Sequence, residues 1–250
     1  MQKFFTKYEI VLYWYFIFLV LLIPLYPKFP LFGVSGSFVA IRLEDLLIAV
    51  FVVLWGIYLL VSGKFKILLR NTLFLALLVF FFVSLVSVFS GSYLTKSADP
   101  LVSLLHLGRR IELMIFLPVA YSLVNSKERL NKFLISAGVV VLISNIYALG
   151  QKYLSFPAVS TTTSELSRGF VYYIQAGDRV NSTFAGHYDF GIFLMISIII
   201  LASAALYSSD KVFKKSKKKA SYTKYTVILG ILSVLSFYNL VETAGKDRYF

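Results

Sequence analysis

The sequence contains no cysteine, only two histidines and few charged residues, and these shortages exclude several kinds of function. Without cysteine, the chain can form no disulfide and has no thiolate nucleophile. The histidines are far apart and no dense carboxylate cluster accompanies them, so no protein-held metal centre is predicted. The motifs HExxH, GxSxG and GxxxxGK[ST] are also absent, and no cofactor is predicted.

Hydrophobic residues take the place of the missing charges. They make up 58% of the 250 residues, the mean hydropathy is +0.79, and Leu, Ile, Val and Phe occur in long blocks. Such blocks are typical of helices that satisfy their own backbone hydrogen bonds within a bilayer. The sequence therefore predicts an all-α, polytopic transmembrane helical bundle forming a single domain. The seven predicted spans are about 10–26, 46–62, 73–90, 101–124, 131–150, 188–208 and 225–241.

The distribution of Lys and Arg predicts the orientation of these spans. With the N-terminus in the cytoplasm, 15 cations fall on inner segments and 8 on outer ones. The opposite orientation would place the lysine-rich run Lys214–Lys219 outside, against the usual bias. The sequence thus favours an N-in, C-out arrangement. Because topology accounts for the net charge of +13, no nucleic-acid partner is predicted.

Two of the predicted outer segments are long. The first, Pro27–Asp45, contains proline and glycine that prevent a regular helix. The second, Gln151–His187, far exceeds the roughly 2–8 residues common between helices in a bundle. A connection of that length is usually functional or disordered, so it is a candidate for a binding or catalytic loop.

The fourth predicted span carries an unusual group of charges. His106, Arg109, Arg110 and Glu112 fall within residues 101–124, and ionisable residues inside spans are a functional hypothesis by default. Counted from the start of the span, Arg109 would lie about 12 Å below the outer edge of the membrane. Glu112 can neutralise one arginine, which leaves the other to bind an anion. The alternative is that Arg109 and Glu112 form a purely structural pair.

A second group, Arg179, His187 and Asp189, lies where the long outer loop meets the sixth span. A guanidinium at the mouth of a cavity can bind a phosphate or carboxylate through two hydrogen bonds. A neighbouring histidine can act as a general base at neutral pH. The alternative is that both residues satisfy local backbone groups at the membrane interface.

A third group occurs in IRLEDLLI, Ile41–Ile48, at the start of the second span. Glu44 and Asp45 are expected to cap this helix, because acidic side chains stabilise helix N-termini. Arg42 remains a candidate for anion binding.

These features together resemble the O-antigen ligase and polymerase superfamily of bacterial envelope enzymes. The resemblance rests on GRRIELMIFLP at Gly108–Pro118, on RVNSTFAGHYDFGIFL at Arg179–Leu194, and on short inner loops alternating with longer outer ones. Family members usually have more spans and a further large outer loop. The resemblance therefore also implies that these 250 residues are the N-terminal portion of a longer protein, or else a shortened relative that acts with a partner.

The resemblance implies metal-independent glycosyl transfer on the outer face of the bacterial cytoplasmic membrane. The donor would be a glycan on undecaprenyl diphosphate, and the acceptor a glycan or lipid of the cell envelope. Outer-face arginines would hold the diphosphate, and a histidine would prepare the acceptor hydroxyl. The implied catalytic residues are His187 and Arg179, and the substrate-binding candidates are Arg109, Arg110, Arg42 and Glu112. A transporter or flippase subunit for an anionic lipid-linked sugar, or a non-catalytic membrane scaffold, are the alternatives.

Overall fold

The structure is a computed structural model, and it describes residues 2–33, 40–159, 170–175, 177–213 and 219–244. Residues 214–218 of the lysine-rich run and residues 160–169 of the segment Gln151–His187 lie outside these ranges. Helices dominate the described chain, which confirms the predicted all-α class. The helices are α1 Gln2–Leu25, α2 Leu43–Val61, α3 Phe65–Leu69, α4 Thr72–Phe89, α5 Pro100–Met114, α6 Phe116–Leu123, α7 Lys127–Tyr153, α8 His187–Phe213 and α9 Lys219–Ala244.

Six helices in the described ranges are long and apolar enough to cross a membrane, one fewer than the sequence predicted. They correspond to α1, α2, α4 with the π-helical turn that follows it at Ser90–Leu94, α7, α8 and α9. The predicted fourth span is instead divided into α5 and α6 at Ile115. Pro118 follows three residues later and has no N–H to donate to the carbonyl four residues back, which weakens the helix there.

The chain forms two compact units, a division that the sequence did not predict. Unit 1 comprises residues up to Ile23 together with Pro30–Ser136, and unit 2 comprises Pro24–Phe29 with the chain from Ala137 onward. In unit 1 a buried apolar core lies between α1, α2 and α6. Its innermost side chains are Leu12, Phe16 and Leu19 on α1, Phe51 and Tyr58 on α2, and Val119 and Leu123 on α6.

Close aromatic packing defines this core. The rings of Phe16 and Phe133 stack with centroids 5.7 Å apart and planes 8° from parallel. Offset aromatic pairs of this kind contribute about 0.5–1.5 kcal/mol beyond their buried area. By contrast α4 is almost wholly exposed, with only Phe74 buried among its described residues. An apolar helix without covering neighbours is typical of a surface that faces lipid.

Polar contacts between α7 and α9 occupy the interior of unit 2. The Asn239 amide donates to Asn145 Oδ1 at 2.7 Å, and Asn145 Nδ2 donates to Ser236 Oγ at 3.0 Å. Hydrogen bonds between membrane helices contribute about 0.6 kcal/mol each on average and fix the register of the pair. On the same unit Phe190 and Leu194 of α8 are fully buried against Ala148 and Val180.

Short antiparallel strands occur in both of the long segments that the sequence predicts to be outer, Pro27–Asp45 and Gln151–His187. In unit 1, β1 (Pro30–Gly33) pairs with β2 (Ala40–Arg42), which leads directly into α2. In unit 2, β3 (Pro157–Val159) pairs with β4 (Val171–Tyr173). The described parts of the segment between α7 and α8 are therefore folded against the helices, and they position the residues that precede α8.

Candidate functional site

A buried glutamine fixes the polar segment that leads into α8. Gln151, at the end of α7, is completely buried. Its Oε1 accepts the backbone N–H of Ser182 at 2.8 Å, and its Nε2 donates to the Ser182 carbonyl at 2.9 Å. Ser182 adopts a positive φ of 52°, a conformation that costs free energy for any residue except glycine. The two hydrogen bonds hold the backbone in that conformation.

The residues on both sides of Ser182 are also buried and hydrogen-bonded. Asn181 donates both amide hydrogens, to the carbonyls of Val159 at 3.1 Å and Phe184 at 3.0 Å. Thr183 Oγ1 donates to the carbonyl of Pro24 at 2.5 Å. This segment is therefore a rigid support, and Arg179 and His187 lie at its two ends.

The structure brings Arg179 and His187 together, as the sequence predicted. Arg179 Nη1 lies 3.1 Å from His187 Nε2 and 3.4 Å from the Tyr188 hydroxyl. The imidazole also packs on the Tyr188 ring, with centroids 4.1 Å apart. Arg179 is exposed and His187 half-buried, so the pair is accessible from outside the unit. Asp189 is exposed on the first turn of α8.

This contact specifies the protonation state of the histidine. A guanidinium N–H can only donate, so His187 Nε2 must accept with its lone pair and the ring proton must lie on Nδ1. A neutral imidazole with this tautomer has the form of a general base. In the observed arrangement, however, Arg179 occupies the lone pair that would remove a proton.

In unit 1, Arg109 is engaged by carboxylates. Its Nη2 donates to Asp45 Oδ2 at 2.8 Å and to the Ala40 carbonyl at 3.2 Å. Its Nε lies 3.7 Å from Glu112 Oε2, the i, i+3 pair expected from the sequence. The structural alternative for Arg109 therefore agrees with the observed contacts. Glu112 Oε1 is buried without a hydrogen-bond partner among the described residues.

The depth of Arg109 in a membrane stays a prediction. The residue contacts the first turn of α2, which is the end of that helix, instead of lying beside its middle. The estimate from the sequence assumed that the span begins at Leu101 at the membrane surface. The contact with Asp45 places Arg109 of α5 beside the N-terminal end of α2.

The remaining unit 1 candidates lie around the same helix end. Asp45 accepts the backbone N–H of Arg42 at 2.9 Å, which confirms the predicted capping role of the acid. Arg42 Nη1 pairs with Glu44 Oε1 at 3.3 Å, so it too faces a carboxylate. Arg110 and His106, which are four residues apart on α5, are both exposed. The resemblance also implies that Arg109 or Arg110 is the partner of Arg179 in binding the diphosphate, and this stays a prediction.

The sequence reasoning missed a buried acid near the start of α1. Glu9 accepts hydrogen bonds at one carboxylate oxygen from Tyr58 at 2.5 Å and Lys64 at 2.7 Å. The other oxygen accepts from Asn125 at 2.8 Å and Arg129 at 2.6 Å. The predicted span began at residue 10, so this acid was counted as part of the preceding segment. The signal available in the sequence was an acidic residue directly before the first apolar run.

The contacts of Glu9 agree with the predicted topology. Lys64 and Arg129 belong to two segments that the cation distribution places in the cytoplasm, as does the start of α1. Burial lowers the pKa of the Lys64 ammonium, but hydrogen bonds to Glu9 and Tyr58 outweigh that effect, so its pKa is raised. Lys64 therefore stays charged, and the cluster joins three segments of unit 1 that the sequence predicts to lie on the same side of the membrane.

Unit 2 also contains a cavity of about 280 Å³ beside the rigid segment. Aromatic, proline and valine side chains form most of its wall, and Ser182 and Thr183 contribute the polar part. None of its lining residues is charged. The cavity lining is Pro27, Phe29, Tyr147, Pro157, Val159, Val171, Tyr173, Ser182 and Thr183.

Within the described ranges, no group of three or more His, Asp or Glu side chains is arranged to hold a metal ion. Comparisons of the chain with protein-family models, with curated proteins and with solved structures give no match. The function must therefore be inferred from the arrangement of residues within each of the two units.

Proposed function

We propose that the protein transfers a glycan from an undecaprenyl-diphosphate donor to an envelope acceptor on the outer face of the bacterial cytoplasmic membrane. The observation that carries this proposal is the contact between Arg179 and His187 at the head of the apolar helix α8. An anion-binding group and a potential base are thus adjacent at the end of a membrane-length helix. The resemblance of Arg179–Leu194 and Gly108–Pro118 to the O-antigen ligase and polymerase superfamily supports the same reaction.

Arg179 would bind the donor diphosphate. A guanidinium matches the oxygens of a phosphate through two parallel hydrogen bonds and remains charged at any physiological pH. It would also stabilise the charge that develops as the diphosphate leaves, which is the main electrostatic requirement of this reaction. Its exposure is consistent with a ligand arriving from outside the unit.

His187 would act as the base. When Arg179 turns toward the diphosphate, the lone pair on His187 Nε2 becomes available and can take the proton of the acceptor hydroxyl. The acceptor oxygen then forms a bond to the anomeric carbon while the bond from that carbon to the diphosphate oxygen breaks. The products are the glycosylated acceptor, undecaprenyl diphosphate and a protonated imidazole, which returns its proton to water. Donor binding would thus activate the base.

The contacts of Arg109 reduce its suitability as the second diphosphate ligand. Asp45 and Glu112 already compensate its charge, so releasing it would leave carboxylates unpaired in a half-buried site. Arg110 is exposed and remains a candidate for donor binding. The contact of Arg109 with Asp45 holds the start of α2 against α5, while Arg42 pairs with Glu44 and Glu112 with Arg109.

The proposal is tested with variants of the full-length protein in membranes that contain the lipid-linked glycan. Arg179→Ala should weaken donor use strongly, and Arg179→Lys should restore it only in part, because an ammonium lacks the planar fork. His187→Gln should lower the maximal rate by about 10²–10⁴ with a smaller effect on donor KM. Arg70→Ala, at an exposed arginine of unit 1, is the matched control.

Protein abundance is measured for every variant. If Arg179→Ala and His187→Gln both transfer glycan at the parent rate, the proposed site is wrong. A different outcome is that donor binding depends on Arg179 while neither the parent protein nor any variant releases undecaprenyl diphosphate. In that case the protein is better described as a carrier of the lipid-linked sugar.

A further inference from the structure

The cavity in unit 2 has the features of a site for an uncharged, hydroxylated ring. Its volume is about 280 Å³, it is open on one side, and the aromatic rings of Phe29, Tyr147 and Tyr173 form part of its wall. Ligand sites commonly combine apolar or aromatic walls with a few fixed polar groups. The size and the wall fit a single ring with apolar C–H faces.

The hydroxyls of Ser182 and Thr183 in the cavity wall present acceptors instead of donors. Ser182 Oγ donates its hydrogen to the Ser144 carbonyl at 2.8 Å, and Thr183 Oγ1 donates to the Pro24 carbonyl at 2.5 Å. A hydroxyl has one hydrogen and two lone pairs, so each oxygen is left with acceptor capacity only. A ligand that binds there must bring its own O–H or N–H donors.

This chemistry discriminates between the parts of a lipid-linked glycan. A phosphate has no donors to offer and would find no cation in the wall, whose lining residues are all uncharged. An isoprenoid chain has no O–H or N–H to donate to the Ser182 and Thr183 oxygens. A neutral sugar ring has both hydroxyl donors for these oxygens and C–H faces for the aromatic rings.

The cavity is close along the chain to the proposed reaction site. Ser182 follows Arg179 by three residues, and even a fully extended chain places their Cα atoms no more than about 11 Å apart. Gln151 fixes this spacing by holding the Ser182 backbone from both its N–H and its carbonyl. A sugar attached to a diphosphate at Arg179 could therefore reach the cavity.

We infer that this cavity, lined by Tyr147, Tyr173, Ser182 and Thr183, binds an uncharged pyranose residue of the glycan. The inference rests on the proposed function for the identity of the larger substrate. The binding itself requires neither the diphosphate nor turnover, so it can be measured separately.

The test is saturation-transfer NMR on the full chain in nanodiscs with neutral methyl hexopyranosides as probes. Tyr173→Ala should reduce binding about tenfold, and Tyr173→Phe should retain it, because the ring face and not the hydroxyl makes the contact. The matched control is Tyr207→Ala on α8, since Tyr207 is 63% exposed and Tyr173 62%. It should bind the probe like the parent protein.

Two further arms separate this inference from the proposed function. Arg179→Ala should bind the neutral probe normally even where it abolishes transfer. Geranylgeraniol and a methyl hexuronide should not displace the probe. Equal probe binding by the alanine variants of Tyr173 and Tyr207, no binding by any hexopyranoside, or displacement by geranylgeraniol would each overturn the assignment of this cavity to a sugar.

Discussion

Replacing Gln151 with leucine should disorder the segment that supports Arg179 and His187. Leucine has a similar volume but cannot make the hydrogen bonds of the amide. Gln151 Nε2 also donates to the Pro157 carbonyl at 3.2 Å. That carbonyl would keep a second donor in the variant, because the Tyr147 hydroxyl donates to it at 2.8 Å. The N–H and carbonyl of Ser182, however, would both be left buried without their partner.

The magnitude follows from those two groups. Each buried, unsatisfied backbone group costs about 1–3 kcal/mol, so Gln151→Leu should destabilise unit 2 by about 2–6 kcal/mol. The positive φ of Ser182 would then no longer be compensated, and the segment could relax without unfolding the helices. We expect faster proteolysis between residues 170 and 187, with the helical circular dichroism signal retained at low temperature.

The assay compares thermal unfolding in detergent and limited proteolysis for two variants. The control is Gln175→Leu, because Gln175 is the exposed glutamine of the same connection, and surface substitutions usually change stability by no more than about 0.5 kcal/mol. Equal melting temperatures and equal proteolysis rates for the two variants would refute the role assigned to Gln151.

Two other substitutions test the packing of each unit. Glu9→Gln should destabilise unit 1 by about 3 kcal/mol, because Lys64 and Arg129 lose the charge that compensates them; a melting temperature equal to the parent's would contradict this. Gly150→Ala should destabilise unit 2 by about 1–3 kcal/mol, since the added Cβ would lie 2.4 Å from the Phe156 ring. Thermal unfolding in detergent measures both effects, and a stabilised Gly150→Ala variant would show that the ring moves freely.

The sequence predicted most helices because long apolar blocks are a strong local signal. The end of α5 at Ile115 was not predicted from the sequence. Hydropathy is averaged over a window of residues, and a single proline such as Pro118 does not lower that average enough to divide an apolar block. The division into two units was also not predicted, because it depends on which helices pack together. Neither feature changes the composition of a span.

The candidate site was predictable only where its residues are close along the chain. Arg179 and His187 are eight residues apart and flank one short segment, so their proximity followed from the sequence. The contact between Arg109 and Asp45 joins residues 64 apart, and Glu9 and Arg129 are 120 apart. Contacts between residues so far apart in the chain depend on how the helices pack, and local sequence patterns do not show which helices are neighbours.

The central claim is that the protein breaks the bond between a glycan and undecaprenyl diphosphate. The most direct measurement is release of undecaprenyl diphosphate by the purified full-length protein in nanodiscs, supplied with lipid-linked glycan and acceptor. The account predicts release that equals the glycan transferred, needs the acceptor, and is lost in Arg179→Ala but not in Arg70→Ala. No release by a folded parent protein that binds the donor would contradict it.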